Sequence, residues 1–102
     1  MTNEMIERLV AMGCNEWKKH GYHRLYVNIE SIGLRISRYN TGNISYAEFD
    51  GEKISNCEAR RILNGKYYID VETGKVSIVN GTSGHRSVIK ERIEEMVRTA
   101  MA

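Results

Sequence analysis

The chain has 102 residues, 41% hydrophobic and 27% charged, and its 15 Lys and Arg against 13 Asp and Glu leave a net charge of +2. That length predicts a single domain over residues 1–102 with one core and little to spare, of ordinary composition for a soluble globular protein. A charge of +2 does not by itself imply a nucleic-acid partner, and it leaves room for a local basic patch.

Cys14 and Cys57 are the only cysteines. They form no spaced set, so a disulfide framework or a four-cysteine zinc site is excluded and a reduced, cytoplasmic setting is the expectation. No apolar run approaches the length of a membrane span and no leader pattern is present, which predicts neither membrane insertion nor secretion. Proline is absent, so no prolyl isomerisation phase is expected in folding.

From about Asn3 to His20 the residues Ile6, Leu9, Val10, Gly13 and Trp17 recur at steps of three and four, which predicts one amphipathic helix. Thr2 or Asn3 would cap it, Lys18, Lys19 and His20 would suit its negative end, and Gly21 would stop it. Gly13 would let that helix approach the sheet closely.

Strict alternation in HRLYVNI, LRIS and NISYAEF predicts three antiparallel strands between His23 and Phe49. Tyr39-Asn40-Thr41-Gly42-Asn43 has the chemistry of a three-residue hairpin loop with a left-handed glycine. Placing Gly42 at the bulge position sets Tyr39 opposite Asn43, Arg38 opposite Ile44, Ser37 opposite Ser45, Ile36 opposite Tyr46 and Arg35 opposite Ala47. Joining the first strand through Glu30-Ser31-Ile32-Gly33 puts Val27 beside Ile36 and Ile29 beside Leu34. The core side is then Leu25, Val27, Ile29, Leu34, Ile36, Ile44 and Tyr46. The reverse side carries Arg24, Tyr26, Asn28, Arg35, Ser37, Tyr39, Ser45 and Ala47, with Arg24 across from Tyr39.

Gly51-Glu52-Lys53 reads as a turn, and Ser55-Asn56-Cys57-Glu58 as a capping box that starts a short helix. That helix should bury Ala59, Ile62 and Leu63 and end at Asn64-Gly65. Val71-Glu72-Thr73-Gly74-Lys75 repeats the earlier loop grammar, so Tyr67–Val71 should pair with Lys75–Val79. That register puts Tyr68, Val76 and Ile78 on one face and Tyr67, Ile69 and Val79 on the other, and so predicts a hairpin covered on both sides. Gly81-Thr82-Ser83-Gly84-His85 reads as a flexible connector. Ser87 is the expected cap of a last helix with the stripe Ile89, Ile93, Met96, Val97 and Ala100. The order αβββαββα predicts an α+β fold, an antiparallel sheet of about five strands with the helices packed on one face.

Chemistry-bearing patterns are few. Cys57 falls at the second position of a predicted helix, but no histidine or orienting group can be set beside it. Cys14, His20 and His23 match no metal-ligand spacing. Phosphate loops, nucleophile elbows and informatively spaced carboxylates are missing. The reading is therefore no enzyme, with no catalytic residue, metal or cofactor.

Binding features are clearer. Arg and Tyr are enriched at interface hot spots, which selects Arg24, Tyr26, Arg35 and Tyr39 on the reverse sheet face, then Arg60 and Arg61 on the short helix, as the contact residues. Lys53, Arg60, Arg61 and Lys66 face only Glu58 as a nearby acid. Lys18, Lys19, Arg24 and Arg35 would form a second basic group. Basic side chains interleaved with tyrosines also fit RNA or single-stranded DNA.

The order αβββα over residues 3 to 64, with GEKISNCEARRIL at the second helix, resembles the double-stranded-RNA-binding domain. Ser55, Asn56, Cys57 and Glu58 stand where that family has a lysine cluster, and the chain continues into a further hairpin and helix. With segments such as WKKHGYHRLYVNI and YYIDVETGKVSI, the whole chain resembles the small inhibitor proteins of phages and mobile elements, anti-CRISPR proteins included. That likeness implies a non-enzymatic protein that docks on a host defence protein or nucleoprotein complex. The alternative is an RNA- or DNA-binding module using the basic-aromatic sheet face and the short helix. Met96 and Met101 would serve an interface as well as a core, which leaves open a homodimer through the last helix or the open face.

Overall fold

A computed structural model describes residues 1–81 and 84–102. The fold is α+β: helix α1 (Asn3–Ala11), strands β1 (Cys14–Lys19) and β2 (Tyr22–Val27), a 3-10 turn (Ile29–Ile32), strands β3 (Leu34–Arg38), β4 (Ile44–Phe49) and β5 (Glu52–Lys53), helix α2 (Asn56–Asn64), strands β6 (Lys66–Asp70) and β7 (Val76–Val79), and helix α3 (Arg86–Met101). The strands divide between two antiparallel sheets, of order β1-β2-β6-β7 and β3-β4-β5.

The predicted first helix is half strand. Thr2 caps α1 as expected, its side chain accepting from the Met5 amide at 3.2 Å. The helix ends at Gly13, whose φ of +109° only glycine adopts without strain. A Cβ there would also lie 2.5 Å from Ser31 Oγ, so Gly13 serves a turn against the 3-10 segment rather than a helix against a sheet. His20 (φ 53°) and Gly21 (φ 81°) then make the two-residue loop, positive at both positions, that closes a tight hairpin and pairs Lys19 with Tyr22.

β2 and β3 do not pair. Asn28 caps the 3-10 turn by accepting from the Glu30 amide at 3.1 Å, and Ile29 and Ile32, three apart and eclipsed on its inner side, both enter the core. The chain thereby crosses from one sheet to the other, and Val27 does not meet Ile36.

The β3–β4 loop closes as expected, with Tyr39 N–H donating to Asn43 at 2.8 Å and Arg38 opposite Ile44. Beyond it the register shifts: Ser37 faces Tyr46, Ile36 faces Ala47 and Arg35 faces Glu48. Ser45 is the extra residue of a bulge, and a shift of one exchanges the faces. Ala47 is therefore buried at 0% exposure, and Tyr46, expected in the core, is 40% exposed.

β6–β7 slips likewise. Asp70 Oδ1 accepts from the Glu72 and Thr73 amides at 2.8 and 3.0 Å, and the Asp70 amide donates to Lys75 at 2.9 Å. The loop is thus four residues long and Ile69 faces Val76, Tyr68 faces Ser77 and Tyr67 faces Ile78. Tyr67, Ile69, Val76 and Ile78 all turn inward, and the hairpin is covered on one side only.

α1 and α3 pack on the inner face of the four-stranded sheet, burying Ile6, Leu9, Leu25, Ile69, Ile89, Ile93, Val97 and Ala100. Of the stripe expected for α3, Ile89, Ile93, Val97 and Ala100 are buried and Met96 is half-buried, although Arg86 precedes Ser87 into the helix and no side chain caps it. Of the predicted connector, Thr82 and Ser83 lie outside the described residues. α2 begins on Ser55, whose Oγ accepts from the Glu58 amide at 3.0 Å, and buries Ala59 and Ile62 as expected. It covers the small sheet through a satellite cluster of Ile44, Ala47 and Ala59. Tyr67 O–H donates to the Ile62 carbonyl at 2.6 Å and ties α2 to the main core.

Candidate functional site

The register of the large sheet decides which side chains share its outer face. Pairing of Asn15 with Tyr26, Trp17 with Arg24 and Lys19 with Tyr22 on one flank of β2, and of Tyr26 with Tyr68 and Arg24 with Asp70 on the other, puts all of these outward. Lys66, Ser77 and Val79 complete the face. Among the described residues no helix lies over it, since α1 and α3 take the opposite side and α2 packs on the small sheet.

The aromatic side chains form a row across three strands. Trp17 and Tyr26 meet edge to face with ring centroids 6.0 Å apart, and Tyr26 and Tyr68 lie 4.8 Å apart at 57°. The guanidinium of Arg24 sits 5.2 Å from the Tyr22 ring and 5.5 Å from the Tyr68 ring, a geometry in which the cation is held by ring quadrupoles. A cleft of about 260 Å³ opens beside Arg24 and Tyr68, walled by Asp70, Ser77 and Val79.

Charge on this face is one-sided: Lys19, Arg24 and Lys66 against Asp70 alone. The Thr73 backbone N–H, and then that of Glu72, hold the Asp70 carboxyl below its ordinary range. It is therefore ionised, but one of its oxygens is committed to its own turn. Glu16, on the opposite side of β1, binds His23 Nε2 at 2.6 Å and Lys18 Nζ at 3.4 Å.

The structure separates the residues expected to share one surface. Arg24 and Tyr26 are on the large sheet. Arg35 projects from the small one, 3.4 Å from Glu48, and Tyr39 stands at its hairpin tip at 62% exposure. Arg24 is thus flanked by Trp17 and Asp70, not by Tyr39, because β2 and β3 belong to different sheets. Arg61 lies 3.9 Å from Glu58, whereas Arg60 joins Arg38 along a cleft beside the β3–β4 loop. The αβββα order behind the likeness to the double-stranded-RNA-binding domain is also interrupted, since two strands precede the crossover and three follow it.

Trp17, Tyr22 and Tyr68 were not among the expected contact residues. Trp17 fitted the helical spacing of α1, and Tyr68 was assigned inward by a register one residue out. The signal for Trp17 was the His20-Gly21 pair, a two-residue hairpin loop that turns Trp17-Lys18-Lys19 into a strand.

Cys57 is exposed near the start of α2, and Cys14 is buried in β1. Among the described residues no three His, Cys, Asp or Glu side chains converge to hold a metal ion, and no helix is long and apolar enough to cross a membrane. No protein-family model, curated protein or solved structure matches the chain.

Proposed function

We propose that this protein is a non-enzymatic binding module for single-stranded nucleic acid, working in a reducing, cytoplasmic setting through the outer face of its four-stranded sheet. The observation that carries the reading is the row Trp17, Tyr26 and Tyr68, set among Lys19, Arg24 and Lys66 on an uncovered face. Bases stack on aromatic rings whatever their sequence, and cations between the rings receive the phosphates. A duplex would present its phosphates but keep its base faces stacked on one another and out of reach of the rings, so selectivity for single strands follows.

Trp17 is the only tryptophan and reports on its own site. Single-stranded oligonucleotides should quench its fluorescence, and the affinity should fall with salt at a log–log slope of about −2, near 0.7 for each of three phosphates contacted. Tyr26→Ala and Tyr68→Ala should each weaken binding by about 1–3 kcal/mol. Affinities weaker than millimolar at low salt for both RNA and DNA would refute the proposal.

A second reading has its own support, because Trp, Tyr and Arg are also the side chains that anchor protein interfaces. An inhibitor resembling anti-CRISPR proteins would use the same face to dock on a host defence protein. Its signature is a partner that survives nuclease treatment and is lost with Tyr26→Ala and Tyr68→Ala, from a protein that binds no oligonucleotide.

A further inference from the structure

We infer that Arg38 and Arg60 form a second subsite, which takes a backbone phosphate of the strand bound on the aromatic face; the inference rests on the single-strand reading. The cleft between the β3–β4 loop and the C-terminal half of α2 has a volume of about 490 Å³ and is walled by Arg38, Asn43, Ile44, Arg60, Leu63 and Asn64, with Gly42. No carboxylate is among its walls. Three acids of this part of the fold are engaged elsewhere: Glu48 with Arg35 and Tyr46, Glu58 with His85 and the Gly84 amide, Asp50 with Arg92.

Arg38 Nη1 donates to the Gly42 carbonyl at 2.8 Å, which holds its guanidinium at the cleft with other N–H groups to spare. The Arg60 side chain makes no hydrogen bond or ion pair among the described residues. Two like charges on one cleft without an acid repel, and an oxyanion between them converts that repulsion into attraction. The forked donors fit a phosphate, and the amides of Asn43 and Asn64 add further donors.

A second cleft, of about 390 Å³, also has Leu63 in its wall, together with Tyr26 and Lys66. Leu63 therefore borders both clefts, and Tyr26 and Lys66 line the one that adjoins the rings. The carbonyl end of α2 borders the arginine cleft and opposes a free anion. A phosphate tethered to bases already stacked on the rings arrives at high effective concentration and overcomes that opposition, so a long strand gains more than a free ion does.

The test compares a single strand of about four nucleotides with one of about twelve, spanning the usual range of site sizes, and inorganic phosphate alone. Wild type should bind the longer strand about tenfold or more tightly than the shorter one and bind free phosphate only weakly. In the Arg38→Gln/Arg60→Gln double variant the longer strand should fall to the affinity of the shorter one. Its salt slope should drop by about 0.7, for the one phosphate the pair holds. Binding of the shorter strand should not change, and Arg38→Lys/Arg60→Lys should retain most of the slope. Equal binding of the two strands by wild type, or equal losses for both in the Gln variant, overturns the subsite and leaves the aromatic face standing. Failure of wild type to bind either strand overturns both.

Discussion

Cys14 and Cys57 carry the same thiol in opposite surroundings. Cys14 is buried at 2% exposure under α1, and desolvation pushes its thiol up to about 11, because a thiolate there would lose its water with nothing in exchange. Cys57 is exposed on α2. Iodoacetamide at neutral pH should therefore label the native protein once, at Cys57, and the denatured protein twice, as read by peptide mass spectrometry. Labelling of Cys14 in the native state would mean that α1 leaves the sheet readily. Burial also raises the Tyr67 hydroxyl, which keeps it protonated and donating to Ile62.

At the scale of elements, two turns hold most of what distinguishes the structure from a reading of hydrophobic spacing. Gly13 is the sharper case. In a continuous helix Gly13→Ala would stabilise by about 1 kcal/mol, since alanine loses less entropy there. Here it forces a side chain into a positive φ and against Ser31, so the variant should be destabilised by more than about 1 kcal/mol in urea melts. The sign of the change decides between the two. The Asp70 turn makes a different kind of prediction. Its carboxyl is held below the ordinary value first by the Thr73 amide, so the folded state binds its proton less readily than the unfolded chain. The stability this contributes is complete above the unfolded value, about 3.9, and is lost as pH falls through the lower folded value. Asp70→Asn, which keeps an acceptor in the turn, should flatten the decline of Tm with pH in that acid window. Parallel curves for the two proteins would show that Asp70 contributes nothing to it.

Loop chemistry named these turns only in part. The cap at Ser55 and the stripe of α3 were readable because local hydrogen bonds and a 3.6-residue period act within a few residues. The face of Tyr46 was not, because the bulge at Ser45 is fixed by what Ala47 must fit beneath α2, a contact 12 residues distant from Ala47 to Ala59. The site was half visible for the same reason. Arg24 and Tyr26 lie on a strand whose alternation is plain, whereas Trp17 and Tyr68 reach them through pairings that no spacing states.

The whole molecule is elongated, 40 × 28 × 23 Å with a radius of gyration of 14.3 Å, above the roughly 13 Å of a compact chain this long. The small sheet gives Leu34 and Phe49 to the main core and has beside it a modest cluster of its own, Ile44, Ala47 and Ala59. Cores of unequal size open with unequal free energies. Amides of β3 and β4 near Tyr39 should exchange hydrogen much faster than those of β2 and β6, which lie at the centre of the large sheet. Uniform protection across both sheets would show one cooperative unit.

Composition, periodicity and caps were enough to establish an α+β chain with antiparallel strands, the short second helix, the buried stripe of the third and a strand that sets Arg24 and Tyr26 on one face. Those properties depend on interactions between residues a few positions apart, and the sequence states them directly. The division into two sheets, the strand identity of Cys14–Lys19 and the meeting of Trp17, Tyr26 and Tyr68 were decided by tertiary structure. Each depends on which distant segment supplies the pairing edge or the covering helix, and a residue's alternation along its own strand carries no information about that partner.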